Sequence, residues 1–410
     1  MLRDSYFLPS PKHAVELRAF THGLMPRTVP QMMHHFVEDW KSFGVDAWNH
    51  IPNHWKPESG EHVGWWTLPE YLGDHFIAPL IGAPKGTCIL QPNVHWTVQC
   101  ILSSRELLSG TRNKVILTDG EFPSVLHSVH QWADLLNIEV DCIPVTKGGI
   151  PREQIVSAID HRTALVMLSH VGFTTGRKLP DSFIYEVGKK VHAHGGLLAI
   201  DGYHSIGAST ATVQELDVDL YFGGLLKEGS GSSGNAFVYI KNGVDLTPRT
   251  TGWFGDASPF DFNTSPVPHP EVRARFKGGT SAIASLYHAV EGVRLLLSVG
   301  LRSVRQDSLS KTNYCIDRAQ KAGIEIRSSL KEEERSAMFV MSLPQAHQLS
   351  AYLKSKHIYT DSRKGTLLRI APFVWNTKDE LEHTFHHIEE AVRKKLHLEM
   401  PPPITRGPVT

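Results

Sequence analysis

Cysteine is scarce in this chain: Cys88, Cys100, Cys142 and Cys315 are spread through 410 residues with no C-x-x-C pair. Four thiols so scattered exclude a disulfide framework and a zinc knuckle, and they suit a reducing compartment. Charge of one sign is also lacking, with 42 Lys and Arg against 42 Asp and Glu. Without a one-sided field there is nothing to steer the protein onto nucleic acid or an acidic membrane, so neither is expected as a partner. No apolar run approaches the roughly 18 residues that a membrane span needs. The opening MLRDSYFLPSPKH lacks the apolar core of a secretory leader. The expectation is a cytoplasmic protein, long enough for two or three domains with an ample core.

Histidine, by contrast, is plentiful at 24 residues and raises the question of a metal. No H-E-x-x-H is present, and MMHHF and HTFHHIEEA lie in amphipathic, helix-like stretches. Solvated helix faces account for them, and no metal is expected.

From about residue 114, apolar strand candidates alternate with helical segments. KVILTDG (114–120), EVDCIPV (139–145), TALVMLSHV (163–171), GLLAIDG (196–202), DVDLYFGG (217–224) and NAFVYI (235–240) are the strands. SVLHSVHQWADLL (124–136), REQIVSAID (152–160) and SFIYEVGKKVHAHG (182–195) are helices between them. This alternation predicts an α/β fold with a mostly parallel sheet covered on both faces, and ligands at the carboxyl ends of its strands. After the Pro-rich stretch 258–276, SAIASLYHAVEGVRLLLSVGL reads as one long helix leading into a smaller domain, which closes on KDELEHTFHHIEEAVRKK.

The stretch GGLLKEGSGSSG (223–234) holds a G-x-G-x-x-G, but a strand rather than a helix follows it, which excludes a dinucleotide fingerprint. A Walker loop fails too, because Lys227 precedes the glycines. The lysine gains meaning from its partners. Asp201 ends the apolar LLAI strand, a costly place for a carboxylate unless a cation meets it, and His204 follows three residues on. Asp201 as a helix N-cap is the alternative. An Asp at one strand end and a Lys at the next suit a pyridoxal phosphate enzyme: the lysine forms the Schiff base, and the carboxylate keeps the pyridine nitrogen protonated.

The chain resembles the fold-type-I pyridoxal phosphate enzymes of the class V aminotransferase group, and within it most closely kynureninase, over residues 6–395. WWTLPEYLGDHFIAPLIGA, VILTDGEFPSVLHS, LSHVGFTTG, IDGYHSIG, TGWFGDASPFDF, FKGGTSAI and LLRIAPFVWNT keep the order of the family's blocks. The resemblance implies a large cofactor-binding domain (61–289) with a seven-stranded sheet between helices. It implies a smaller α+β C-terminal domain (290–398), an N-terminal segment (1–60) packing with that domain, and a disordered tail (399–410). It implies pyridoxal 5'-phosphate as cofactor and an L-α-amino acid as substrate. Lys227 would be the catalytic lysine. Asp201 would be the pyridine partner, His204 a cofactor-pocket residue and Phe122 the ring stacked on the cofactor. Trp253 and Thr280 would reach the phosphate of a neighbouring subunit in a homodimer with shared sites. Arg369 would clamp the substrate carboxylate through its guanidinium fork. By alignment, the phosphate would sit on the amides of Val94 and His95 at a helix start, with a surface turn the alternative for His95. Trp65 and Trp66 are candidates to face a flat substrate side chain, with core packing the alternative.

The sequence also departs from the family pattern. Leu225-Leu226 precedes the lysine where kynureninases have Ser-Tyr, and Val125 replaces an Asp. Gly172 and Thr174 replace an Asn and an Arg, and Asp256 replaces a His. The expected reaction is kynureninase-like hydrolytic Cβ–Cγ cleavage. Transamination, β-elimination and decarboxylative carbon–carbon bond formation are the alternatives within the group, and a scaffold without activity is the alternative outside it.

Overall fold

The computed structural model describes residues 2–11, 13–108, 110–146, 149–399 and 401. The tail expected over 399–410 lies outside these, apart from Glu399 and Pro401. A two-residue strand, β1 (Val15–Glu16), comes first. The central sheet then collects β2 (Cys88–Gln91), β3 (Lys114–Thr118), β4 (Glu139–Ile143), β5 (Thr163–Ser169), β6 (Leu197–Asp201), β7 (Leu220–Gly224) and β8 (Ala236–Ile240). Their order is β2-β8-β7-β6-β5-β3-β4. Strands β7, β6, β5, β3 and β4 run parallel, and β8 lies antiparallel to both β7 and β2. This is the mostly parallel sheet that the alternation predicts, with the seven strands that the resemblance implies.

Apart from the edge strand β4, the strands are largely apolar on both faces because both are covered. In β5, Leu165 and Met167 point to one side, where they join Val94, Val98, Val125 and Val129 from the helices Val94–Ser103 and Pro123–Leu136. Val166 and Leu168 point to the other and meet Phe183, Ile184 and Val187 of the helix Asp181–Ala193. The two-residue period of a strand thus feeds two cores from one segment.

A second sheet forms from β9 (Glu325–Ile326), β10 (Phe339–Ser342), β12 (Asp361–Arg363) and β13 (Leu367–Ile370), ordered β12-β13-β10-β9 and antiparallel throughout. The short β11 (Ile358–Tyr359) pairs instead with β1, in parallel. Helices Leu301–Lys321, Ala346–Ser355 and Lys378–Arg393 pack on this sheet, the last opened by a capping box between Thr377 and Glu380. The N-terminal segment is held to this region by the amide of Ala371 donating to Leu17 O at 2.7 Å and by Trp375 Nε1 donating to Glu16 O at 3.3 Å.

The long helix expected from 281 is a correction. It is two helices, Ile283–Ala289 and Glu291–Val299, broken at Val290, and the longer helix Leu301–Lys321 starts only after Gly300, whose φ is +81°. The break lies against the turn that follows Lys227. A Cβ on Gly292 would stand 2.2 Å from Gly229 O, and one on Gly231 would stand 2.2 Å from Ala289 O. Asn235 Nδ2 ties the two segments by donating to Gly231 O at 2.8 Å and to Ser285 O at 3.0 Å. The small residues of GSGSSG therefore serve a backbone-to-backbone contact that no larger side chain permits.

Gly292→Ala is expected to lower stability by about 1–3 kcal/mol, read as a drop in the denaturant midpoint at unchanged slope. A midpoint equal to the parent's would mean that the turn yields to the added methyl group.

Candidate active site

The carboxyl ends of β5, β6 and β7 open on one side of the sheet, and the functional side chains stand on the loops that leave them. β6 delivers Asp201, which is buried at 5 % exposure. The chain turns at once, because Asp201 Oδ1 accepts the amide of Tyr203 at 2.8 Å. Asp201 thus caps a turn rather than a helix, and its second oxygen takes no hydrogen bond from the described residues. Gly202 is required here, since a Cβ would stand 2.3 Å from the Tyr221 ring. That ring is fixed by its hydroxyl, which donates to Ser205 Oγ at 2.6 Å and meets His170 Nδ1 at 3.0 Å.

β7 ends at Gly224, where any Cβ would collide with the Tyr203 ring. Leu225 is buried in the core, and Leu226 O accepts the amide of Gly23 at 3.0 Å, so the N-terminal segment braces the loop. Lys227 follows. Its Nζ lies 2.8 Å from His204 Nε2, 4.2 Å from the centroid of Tyr203 and 5.8 Å from that of Phe122. Phe122 N-caps the helix Pro123–Leu136, is 45 % exposed, and meets Phe173 edge-on at 5.6 Å.

Burial tunes these groups. It pushes the Lys227 amine down from 10.5 to about 8, against the opposing pull of Glu228 and Asp201. Burial raises the Asp201 carboxyl to about 6, with the Tyr203 amide and Lys227 working the other way. His204 falls to about 4 through burial and the neighbouring Lys227 charge. At neutral pH the site therefore holds a neutral imidazole, an ionised aspartate and a lysine that deprotonates readily.

Residues 78–367 match the sequence model of the family described as aminotransferase class-V. The chain belongs to this family. It is 29% identical over 330 residues to the "Uncharacterized aminotransferase YcbU" of Bacillus subtilis, covering 80% of this chain and 84% of that protein. It is 24% identical over 391 residues to the kynureninase of Geobacillus thermodenitrificans, covering 92% of this chain and 87% of the relative. Among solved structures, a cysteine desulfurase from Thermococcus onnurineus superposes with a TM-score of 0.80 at 17% identity, over 96% of this chain and 98% of the other. The fold is that of the fold-type-I pyridoxal phosphate enzymes, and pyridoxal 5'-phosphate is the family's cofactor.

The residues present fit that group. The free oxygen of buried Asp201 is a ready acceptor for a protonated ring nitrogen, Lys227 is a buried amine within reach of the same turn, and Phe122 leaves a ring face open. Val94 and His95 open a ten-residue helix with amides that find no acceptor among the described residues, while the Asn93 side chain accepts the amide of Trp96 at 2.8 Å. His95 is exposed, with Nδ1 3.2 Å from Ser128 Oγ, and Val94 is buried.

Other predicted residues lie apart from the lysine. Trp253 and Thr280 are exposed, and neither hydrogen-bonds to nor ring-packs with Lys227, Asp201 or His204. Trp253 stacks on Phe262 at 5.8 Å and stands edge-on to Trp66 and Phe260. Trp65 is core, its Nε1 donating to Tyr287 OH at 3.0 Å, whereas Trp66 packs on Trp48 and Phe254. Arg369 on β13 is buried and paired with Asp361 across the β12–β13 register, and it also donates to Phe173 O. Its Nε has no hydrogen-bond partner among the described residues, and its charge lowers the basicity of both Lys227 and His204.

Three residues escaped the sequence reading. Tyr203 covers the lysine. Glu121, just before Phe122, is buried between the hydroxyls of Thr118 and Ser169 and raised to about 7 by burial. Glu228 follows the lysine and is also buried. A carboxylate beside each of two predicted site residues was the available signal, but nothing in sequence tells a buried carboxylate from a solvated one.

In cofactor-free protein, Lys227 should react with an amine-directed reagent with a midpoint near pH 8, because burial favours the neutral amine. Peptide mass mapping across a pH series measures this. A midpoint near 10.5, that of a solvated lysine, would contradict the buried setting.

Proposed function

We propose that the protein acts on an L-α-amino acid, with kynureninase-type hydrolytic cleavage of the Cβ–Cγ bond as its reaction. The observation that carries the reading is the buried contact of Lys227 with His204, one turn from Asp201. The similarity to kynureninase along 92% of the chain supports the choice of reaction. Bound at this turn, the cofactor supplies an electron sink for charge left at the substrate α-carbon.

The chain's own residues do the rest. Lys227 anchors the cofactor and then, as a neutral amine, takes the α-proton on Nζ. Asp201 would hold a proton at the ring nitrogen, and Phe122 would offer its ring to the cofactor's. The amides of Val94 and His95 would be available to the phosphate. The buried, unpartnered Nε of Arg369 gives the substrate carboxylate a donor to satisfy, beside the fork already held by Asp361. Trp253 and Thr280 complete the site of a second copy in a homodimer. The exposure of Trp253 (40 %), Phe260 (55 %) and Phe262 (73 %) supports that arrangement, since so much aromatic surface in one cluster favours a covering partner. A cytoplasmic setting accords with four cysteines that are all free thiols.

A second reading is another class V reaction. Leu226, which cannot donate a side-chain hydrogen bond, stands in the place of the tyrosine that kynureninases carry before the lysine.

Incubating the holoenzyme with L-kynurenine and with 3-hydroxykynurenine should release alanine, and Lys227→Ala should lose about 10²–10⁴-fold in rate together with the visible absorbance of lysine-bound cofactor. Release of a keto acid with aminated cofactor would shift the assignment to transamination. Purified protein that never takes up pyridoxal phosphate would refute the enzyme reading.

A further inference from the structure

Glu228 has no part in the chemistry above, yet it is 2 % exposed and sits beside the lysine. Its Oε1 stands 3.6 Å from His204 Nδ1, just beyond hydrogen-bonding range. The other face of that imidazole meets Lys227, with Nε2 2.8 Å from Nζ. His204 Nδ1 and Glu228 Oε2 are both buried without a hydrogen-bond partner among the described residues. A carboxylate held in such a place is costly unless it balances a charge, and the lysine–histidine pair is where a charge must come and go.

We propose that Glu228 is a positioning residue that fixes His204 with Nδ1 protonated and Nε2 free, so that His204 Nε2 accepts a hydrogen bond from Lys227 Nζ. The proposal rests on the reading of Lys227 as the reacting amine and adds to it the group that holds the amine's partner in one tautomer. With Nδ1–H turned toward the Glu228 carboxylate at 3.6 Å, Nε2 keeps its lone pair for the amine 2.8 Å away.

The neighbouring charges are consistent with this assignment. Glu228 and Asp201 favour the charged lysine, while Arg369 and Arg363 oppose it. His204 feels Lys227 and Arg369 against its protonation and Glu228 in favour of it. The ring of Tyr203 covers the lysine at 4.2 Å, and the buried hydroxyl of Tyr203 stays protonated at neutral pH, its pKa raised to about 12 by burial, Asp201 and Glu228. Glu228 is thus the anion coupled to both members of the pair. Asp201, by contrast, acts on the lysine and is turned toward the Tyr203 amide. The D-x-x-H … K-E pattern of residues 201–228 gathers these groups from two loops.

The test uses cofactor-free protein and the variants Glu228→Gln, which keeps the shape and removes the charge, and Glu228→Asp. Two quantities are followed with pH: modification of Lys227 by trinitrobenzenesulfonate, located by mass mapping, and the imidazole resonance of His204, assigned by its loss in His204→Gln. Glu228→Gln should lower both midpoints by about one pH unit, which below the midpoint is about a tenfold rise in Lys227 modification. Glu228→Asp should recover part of the shift. Unchanged midpoints in folded Glu228→Gln protein would reduce Glu228 to packing and overturn the proposal. The ¹⁵N shifts of His204 in the unmutated protein give a second arm that needs no variant to fold: the Nδ1–H tautomer is expected, and the Nε2–H tautomer refutes it. Cofactor uptake is measured separately, so protein that shows the shifts but never binds pyridoxal phosphate would uphold the positioning role and refute the enzyme reading.

Discussion

A buried amine lying 2.8 Å from a buried imidazole is the contact on which the rest of this molecule depends. The lysine disfavours charge on the imidazole, and burial disfavours charge on both, so at neutral pH the imidazole stays neutral and free to accept from an amine that deprotonates readily. Asp201, the Tyr203 ring and Arg369 are arranged around that balance rather than around the packing of the domain.

Holding the amine there puts a demand on the backbone. After Lys227 the chain must leave the sheet, pass the start of the helix Glu291–Val299 and return as β8 within nine residues. It does so through glycines and serines whose carbonyls touch the facing backbone, with Ser230 and Ser232 at φ of +51° and +59°. The helix opposite is interrupted at Val290 to receive them. A loop of larger residues would push the lysine away from His204, so the small residues act on the chemistry through distance.

The fold was legible where side-chain period and burial coincide. The parallel strands β3 and β5 to β7, together with β8, announce themselves because their residues are largely apolar, and β4 (EVDCI) by its place between segments of helical spacing. β2 does not, because CILQ is four residues long, and its strand character comes from pairing with β8 rather than from any pattern of its own. The helix break at Val290 was invisible for a similar reason, since it is imposed by a turn some sixty residues away. Lys227, Asp201 and His204 could be singled out from spacing, because a lysine and an aspartate at neighbouring strand ends carry their meaning in the topology. Glu121 and Glu228 could not, as a carboxylate gains its role only when water is removed from it. The pairing of Arg369 with Asp361 likewise appears only once β12 and β13 are in register.

The N-terminal segment carries a consequence for the order of assembly. β1 pairs with β11, some 340 residues further along, and Gly23 donates to Leu226 in the loop of the lysine. Contacts so remote in sequence close late, since a long loop must be ordered before they repay its entropy. On a ribosome, residues 15–23 leave the exit tunnel before their partners and then wait, exposed, for strands that have yet to be translated. The brace behind the lysine is therefore made before the loop and the strand that receive it, and docks only after both.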